Sequence, residues 1–137
     1  MRTSLVLALA ALAASATTAV AGPHDAEIQA ILTEAAADWS AVLSCSILNP
    51  EEHATILGWW QDDLAEITLL LVEADVAPKL AGTLLASLEP AVLMAPTEGD
   101  AATLIAFCTE EDDWRRRLAL FTIAQPVTEI ERLIRPR

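Results

Sequence analysis

The sequence predicts an all-α fold, a small bundle of four or five helices stapled by one disulfide. Three observations point there. Apolar residues recur at three- and four-residue spacings through most of the chain, which is the period of a helix face. Asparagine, aspartate and proline punctuate those runs where helices start. Two cysteines, Cys45 and Cys108, lie far apart in a chain that opens with an export signal. Residues 69–72 and 121–123 have some strand character, but both sit inside helical patterns.

The export signal is read from Met1 onward. Met1 and Arg2 supply a short positive start, and LVLALAALAA from Leu5 is a short apolar run. Ala19, Val20 and Ala21 are the small residues that signal peptidase requires. Residues 1–21 therefore read as a signal peptide, cleaved between Ala21 and Gly22. What remains is a single helical domain over residues 22–137, periplasmic or secreted. An uncleaved N-terminal anchor is the alternative. The apolar run is too short for a comfortable span, and later apolar runs are broken by acids, proline or glycine. No stable membrane insertion is expected.

The elements follow in order. Asp25 can cap a first helix, in which Ile28, Ile31, Leu32, Ala35, Trp39, Val42 and Leu43 share one face. It should end near Leu48, before Asn49 and Pro50. There NPEEHATILGWWQDD begins. Asn49 is a good N-cap, Pro50 falls at N1, and Glu51 and Glu52 face the positive helix end, with Glu52 in the capping-box position. Ala54, Leu57, Leu64, Ile67 and Leu71 continue the stripe to about Glu73. The short break between the two helices makes them antiparallel neighbours. Pro78 opens a third, shorter helix through Leu80, Leu84, Leu85 and Leu88. PAVLMAP, between Pro90 and Pro96, is either a turn of helix or an extended linker. Residues 101–108 read as a fourth helix. Thr109 either caps a fresh turn, or the helix runs on through the stripe of Trp114, Leu118 and Phe121. Pro126 stops or kinks it, and VTEIERLIRPR can add a short terminal helix.

Charge is distributed unevenly. Without the leader, seven basic residues face twenty acidic ones, a formal −13. Residues 22–113 hold eighteen of the acids and one base, Lys79; residues 114–137 hold six arginines and two acids. Such a body repels nucleic acid and anionic membrane. The basic end should dock on the acidic body, with an acidic partner as the alternative.

Cys45 and Cys108 would close a loop of about 60 residues. The chain-entropy model credits such a bridge with roughly 4 kcal/mol, less strain. An intermolecular bridge or free thiols are the alternatives. There is no CxxC pair.

Few residues suggest chemistry. His24 and His53 are the only imidazoles and lack a partner at ligand spacing, so no metal and no cofactor is expected. The acidic runs at residues 62–63 and 110–113 lack the glycine and alternating ligands of a calcium loop. Serines 40, 44, 46 and 87 sit in helical patterns, outside any nucleophile elbow. Glu73 and Asp75 are a conceivable carboxylate pair, but the signal does not rise above chance. Arg115, Arg116 and Arg117 form a candidate electrostatic contact, or pair locally as Glu111 with Arg115 and Asp113 with Arg117. Trp39 and Trp114 lie on apolar stripes. Trp59 and Trp60 point in different directions, so one of them is expected in the core. With Gly58, which shares a small-residue strip with Ala54, Gln61 and Ala65, they form a candidate hydrophobic binding or dimerisation surface.

CSILNPEEHATILGWWQ from Cys45 and IAFCTEEDDW around Cys108 resemble the small periplasmic acid-stress chaperones of the Hde type. Cys45, Pro50, Gly58 and Trp59 are the corresponding positions, with Cys108 as second cysteine. The match covers about a fifth of the chain, which is longer, with wider cysteine spacing and an added arginine-rich segment. The resemblance implies a helical bundle held by one disulfide. It implies a neutral-pH homodimer that dissociates in acid and exposes apolar surface to unfolding clients. The expectation is a non-catalytic exported protein that binds or protects other proteins. A small cell-envelope hydrolase, or a structural protein, is the alternative.

Overall fold

The computed structural model describes residues 20–136. The expected leader falls almost wholly on residues 1–19, outside the described residues; the side chains of residues 121–124 and Arg137 lie outside them too. The described chain comprises α1 (Asp25–Ser46), α2 (Pro50–Glu73), α3 (Pro78–Ser87), α4 (Pro90–Met94), a 3₁₀ turn (Ala95–Thr97), α5 (Ala101–Glu110), α6 (Trp114–Ala124) and α7 (Val127–Ile134). The fold is all-α, and one disulfide joins Cys45 to Cys108 with their Cα atoms 5.7 Å apart.

The expected four or five helices are a miscount, because the described residues form seven. PAVLM is a helix of its own, started by Pro90 at its first turn. The stretch read as one helix or two breaks at residues 111–113. Four consecutive acids would sit at the negative end of a helix that ran to Asp113. At the positive start of the next helix they are favourable. The chain accordingly turns there, and α6 starts at Trp114.

Capping chemistry holds in detail at α2. The Asn49 side chain accepts from Glu52 N, and Pro50 is the first helical residue. At α5, Asp100 accepts from Thr103 N at 2.7 Å, which also lowers its carboxyl below the ordinary value. Asp25 does not cap α1. Its Oδ2 turns back to accept from Gly22 N at 2.8 Å and from Ala77 N at 3.5 Å. α1 ends at Ser46, two residues before the expected limit. The end of α2 is a Schellman turn: Val76 N donates to Leu71 O and Asp75 N to Val72 O, both at 3.1 Å. Asp75 takes the left-handed position with φ +53°, a place usually given to glycine.

α1 is the central helix and packs against all six of the others. Residues 41–46 are buried on every side, serines included. A helix surrounded on all sides loses its polar face. Around it the core collects Leu32, Trp39, Ile56, Ile67, Leu88 and Ile130. Trp39 stacks on Trp60 with centroids 4.6 Å apart and planes at 27°. Trp60 Nε1 donates to the Leu88 carbonyl at 2.9 Å, tying α2 to the end of α3. Ser40 Oγ donates to the Leu93 carbonyl at 2.6 Å, tying α1 to α4.

The arginine-rich end docks on the acidic body. Arg115 forks onto Glu52 at 2.6 and 3.2 Å, and Arg135 forks onto Glu73 at 3.0 and 2.7 Å. The second pair holds the Glu73 carboxyl below its ordinary value, first through the hydrogen bond from Arg135. α7 is thereby pinned along α2 by apolar contact and by one forked ion pair. No single helix among the described residues is long and apolar enough to cross a membrane. α3, together with α4 and the 3₁₀ turn that follows it, reaches that length and composition only as a pair bent by 49°.

Candidate protein-binding surface

The tryptophan pair at residues 59 and 60 is divided by the helix. Trp60 is fully buried, 0% exposed, and belongs to the core. It is removed from the candidate surface, because its ring is spent on Trp39 and its N–H on Leu88. Trp59, about 100° around the helix, is 46% exposed. Gly58 faces open space: a Cβ there would meet nothing within 4 Å. Ala54, Gln61 and Ala65 are exposed, so the small-residue strip faces outward, and among the described residues no other backbone packs against Gly58.

The three arginines separate as three consecutive helical residues must. Arg115 reaches Glu52 instead of Glu111 and lies over the Trp114 ring at 4.3 Å. Arg116 pairs with Asp113 at 3.1 Å. Arg117 is the hub: it pairs with Asp113 at 2.9 Å, with Asp38 at 3.6 Å and with Glu111. Of the two expected pairs, Asp113–Arg117 forms and Glu111–Arg115 does not. With every guanidinium engaged by a carboxylate of this chain, the run is no single basic clamp.

Arg117 forms one wall of a cleft of about 340 Å³ between α1, α6 and α7. Glu34, Asp38, Asp113, Arg116, Arg117, Gln125 and Glu129 are among the residues that line it. Burial pushes the Asp38 carboxyl up, against the pull of Arg117, while the hydrogen bond from Arg117 holds Asp113 down. No group of three or more His, Cys, Asp or Glu side chains among the described residues could hold a metal ion. His53 Nδ1 lies 3.0 Å from Ser46 Oγ, and His24 Nδ1 lies 3.2 Å from Glu27.

Two apolar features were missed in the sequence. The first is a groove of about 540 Å³ between the end of α2 and α3, lined by Leu71, Val72, Val76, Pro78, Ala81 and Leu85. Val72 is 74% exposed on its lip, and Leu69 stands beside it one turn earlier, also exposed. Four consecutive apolar residues at 69–72 cannot all face inward. Leu70 and Leu71 are buried, and Leu69 and Val72 are the remainder. That signal was present in the sequence. The second is α5, AATLIAFCTE, which has no buried residue although it is largely apolar. Ile105 on it is 59% exposed. Nothing in its composition distinguishes it from a core helix; only its place at the edge of the body does. Its covalent tie is the bond from Cys108 to the buried Cys45.

Comparison with protein-family models, with curated proteins and with solved structures returns no match for this chain.

Proposed function

We propose that the chain is a small exported helical protein that binds other proteins through exposed apolar surface and protects them, in the manner of an acid-responsive chaperone. The observation that carries this reading is the apolar groove between α2 and α3, with Val72 exposed on its lip. Concave apolar surface of this size on a small domain is a recognition feature. The occupant is an apolar segment of another protein with basic flanks. At neutral pH a body carrying eighteen acids and one base attracts cationic chain and repels anionic chain. The Hde-type resemblance supports the same reading from Cys45, Pro50, Gly58, Trp59 and Cys108. A second copy of the chain is the alternative occupant, which would make a neutral-pH homodimer.

The test is suppression of client aggregation with a hydrophobic dye present, at pH 7 and pH 3, alongside light scattering coupled to size exclusion. Val72→Lys, charged at both pH values, should abolish both protection and dye binding while the fold survives, since Val72 is exposed. Unchanged protection in that variant would remove the groove from the function. A parent that is monomeric, dye-silent and inactive toward clients at both pH values would remove the chaperone reading.

One observation favours a small envelope hydrolase as second reading. Asp38, pushed up by burial, and Asp113, held down by Arg117, share one cleft, as an acid and a base would. Arg117 spans both carboxylates, which leaves neither free for substrate. Loss of a measured glycan- or peptide-cleaving activity in Asp38→Asn would favour this reading.

A further inference from the structure

The turn before α1 holds a carboxylate with half its capacity unused. Asp25 Oδ2 accepts from Gly22 N at 2.8 Å and from Ala77 N at 3.5 Å. Asp25 Oδ1 is buried without a hydrogen-bond partner, and no cation of the described residues pairs with the group. A buried carboxylate oxygen left in this state is costly. The residue facing it has no room for a side chain. A Cβ on Gly22 would lie 2.4 Å from the Asp75 carbonyl oxygen and 2.5 Å from Asp25 Oδ1. Asp75 is the left-handed residue that ends α2, so its carbonyl is held by the Schellman turn. Immediately upstream the chain leaves the body: Val20 and Ala21 are both exposed.

We infer that Asp25 and the Asp75 turn form a seat for the α-ammonium group created when the chain is cut between Ala21 and Gly22. The inference rests on the reading of residues 1–21 as an export leader. In the cut, water adds across the Ala21–Gly22 amide under a signal-type peptidase. Ala21 leaves with the new carboxylate, and the Gly22 nitrogen, freed as an amine, takes up a proton. One amide N–H becomes three N–H donors carrying a full positive charge. The nitrogen already sits 2.8 Å from the carboxylate, so the ion pair forms with no rearrangement of α1. The added donors also supply a partner within the carboxylate's reach for Oδ1. Ala77 N ties the same group to the start of α3, so the new terminus locks the beginning of α1 onto the corner between α2 and α3. Leader removal then does more than release the chain. It completes a polar site that the precursor leaves half satisfied.

The experiment compares the chain of residues 22–137, with a free amino group, against the same chain acetylated at Gly22. Urea midpoints are read from pH 5 to pH 10, in the parent and in Asp25→Asn. An α-amino group ordinarily titrates near 8, and pairing with a carboxylate raises it. A shift of about one unit is a tenfold larger folding constant for the free amine. Because the folded value is raised, that advantage is complete below the unfolded value and is lost as pH climbs through the folded one. The expected result is therefore a tenfold advantage at pH 6 that closes by about pH 10 and is absent in Asp25→Asn. Equal midpoints for the free and acetylated chains at pH 6 would overturn the inference. So would an advantage that persists in Asp25→Asn. If that variant does not fold, NMR titration of the Gly22 amine in the parent decides: an ordinary value refutes the seat, a raised one supports it. The export reading fails separately. The mass of the chain recovered from the periplasm gives its first residue, whatever the midpoints show.

Discussion

Asp63 stands where an apolar residue belongs. On α2 it lies three residues after the buried Trp60 and four before the buried Ile67. It is half-buried and, among the described residues, has no hydrogen bond or ion pair. Burial first, then Glu66 and Asp62, push its carboxyl from 3.8 up to about 6. No charged group on another helix contributes to that shift. A rise of about two units is worth roughly 3 kcal/mol at most. The group is half in contact with solvent, and screening reduces this to about 1 kcal/mol. The sign follows from proton binding. The folded chain holds the Asp63 proton more tightly than the unfolded chain, so it is favoured below about pH 4. That advantage is lost as pH rises to about 6. Asp63→Asn should then leave stability at pH 4 nearly unchanged and raise it by about 1 kcal/mol at pH 7. Asp63→Leu should raise it further at pH 7, by joining the buried stripe. The assay is the urea midpoint of parent and variants at half-unit steps from pH 4 to pH 7. Glu73 and Asp113, both held low, lose their pairs only at lower pH and do not cloud this window. Asp38 titrates in the same direction but is common to all the chains. An Asp63→Asn curve parallel to the parent over this range, or a loss of stability at pH 7, would refute the reasoning.

Reduction of Cys45–Cys108, or Cys45→Ser, should cost about 4 kcal/mol on the loop-entropy estimate. α5 should then detach first, because it has no buried residue; a rise in dye binding before the main unfolding transition checks this. Trp60→Ala should cost about 3–5 kcal/mol, because it empties a fully buried site and breaks the link to Leu88. Trp59→Ala, at a half-exposed site, should stay within about 1 kcal/mol, and a cost like that of Trp60 would place it in the core. Asp75→Gly should raise stability by about 0.5 kcal/mol by relieving the left-handed backbone, read as a small upward shift in thermal midpoint.

Local chemistry was legible where its range is short. Asn49 and Pro50 specify the start of α2, and the structure keeps both roles. Glu52 gives its backbone N–H to the cap, but its carboxylate turns to Arg115 instead of closing a capping box, and Asn49 N donates to Ser46 O. Pro78 and Pro90 each sit at the start of a helix, as their locked φ permits. The Arg-rich end on an acidic body was foreseeable from charge, but its partners were not. Arg115 with Glu52 and Arg135 with Glu73 join residues more than 60 apart, which no local spacing can specify. The helix count failed because PAVLM and the acidic turn at residues 111–113 are decided by single turns of chain.

By itself the sequence determined that the chain is helical, where most helices begin, and that two cysteines are available to pair. Periodicity, capping and proline geometry act over about four residues, so they can be read without a fold. Only the tertiary structure decided which side of each helix is covered. It put Trp60 inside and Trp59 outside, left α5 without a buried residue, and opened the groove beside Val72. It also set Gly22 and Asp25, at the start of the described chain, against Asp75 at the end of α2. Burial depends on what packs opposite, and an apolar run carries no record of its neighbour.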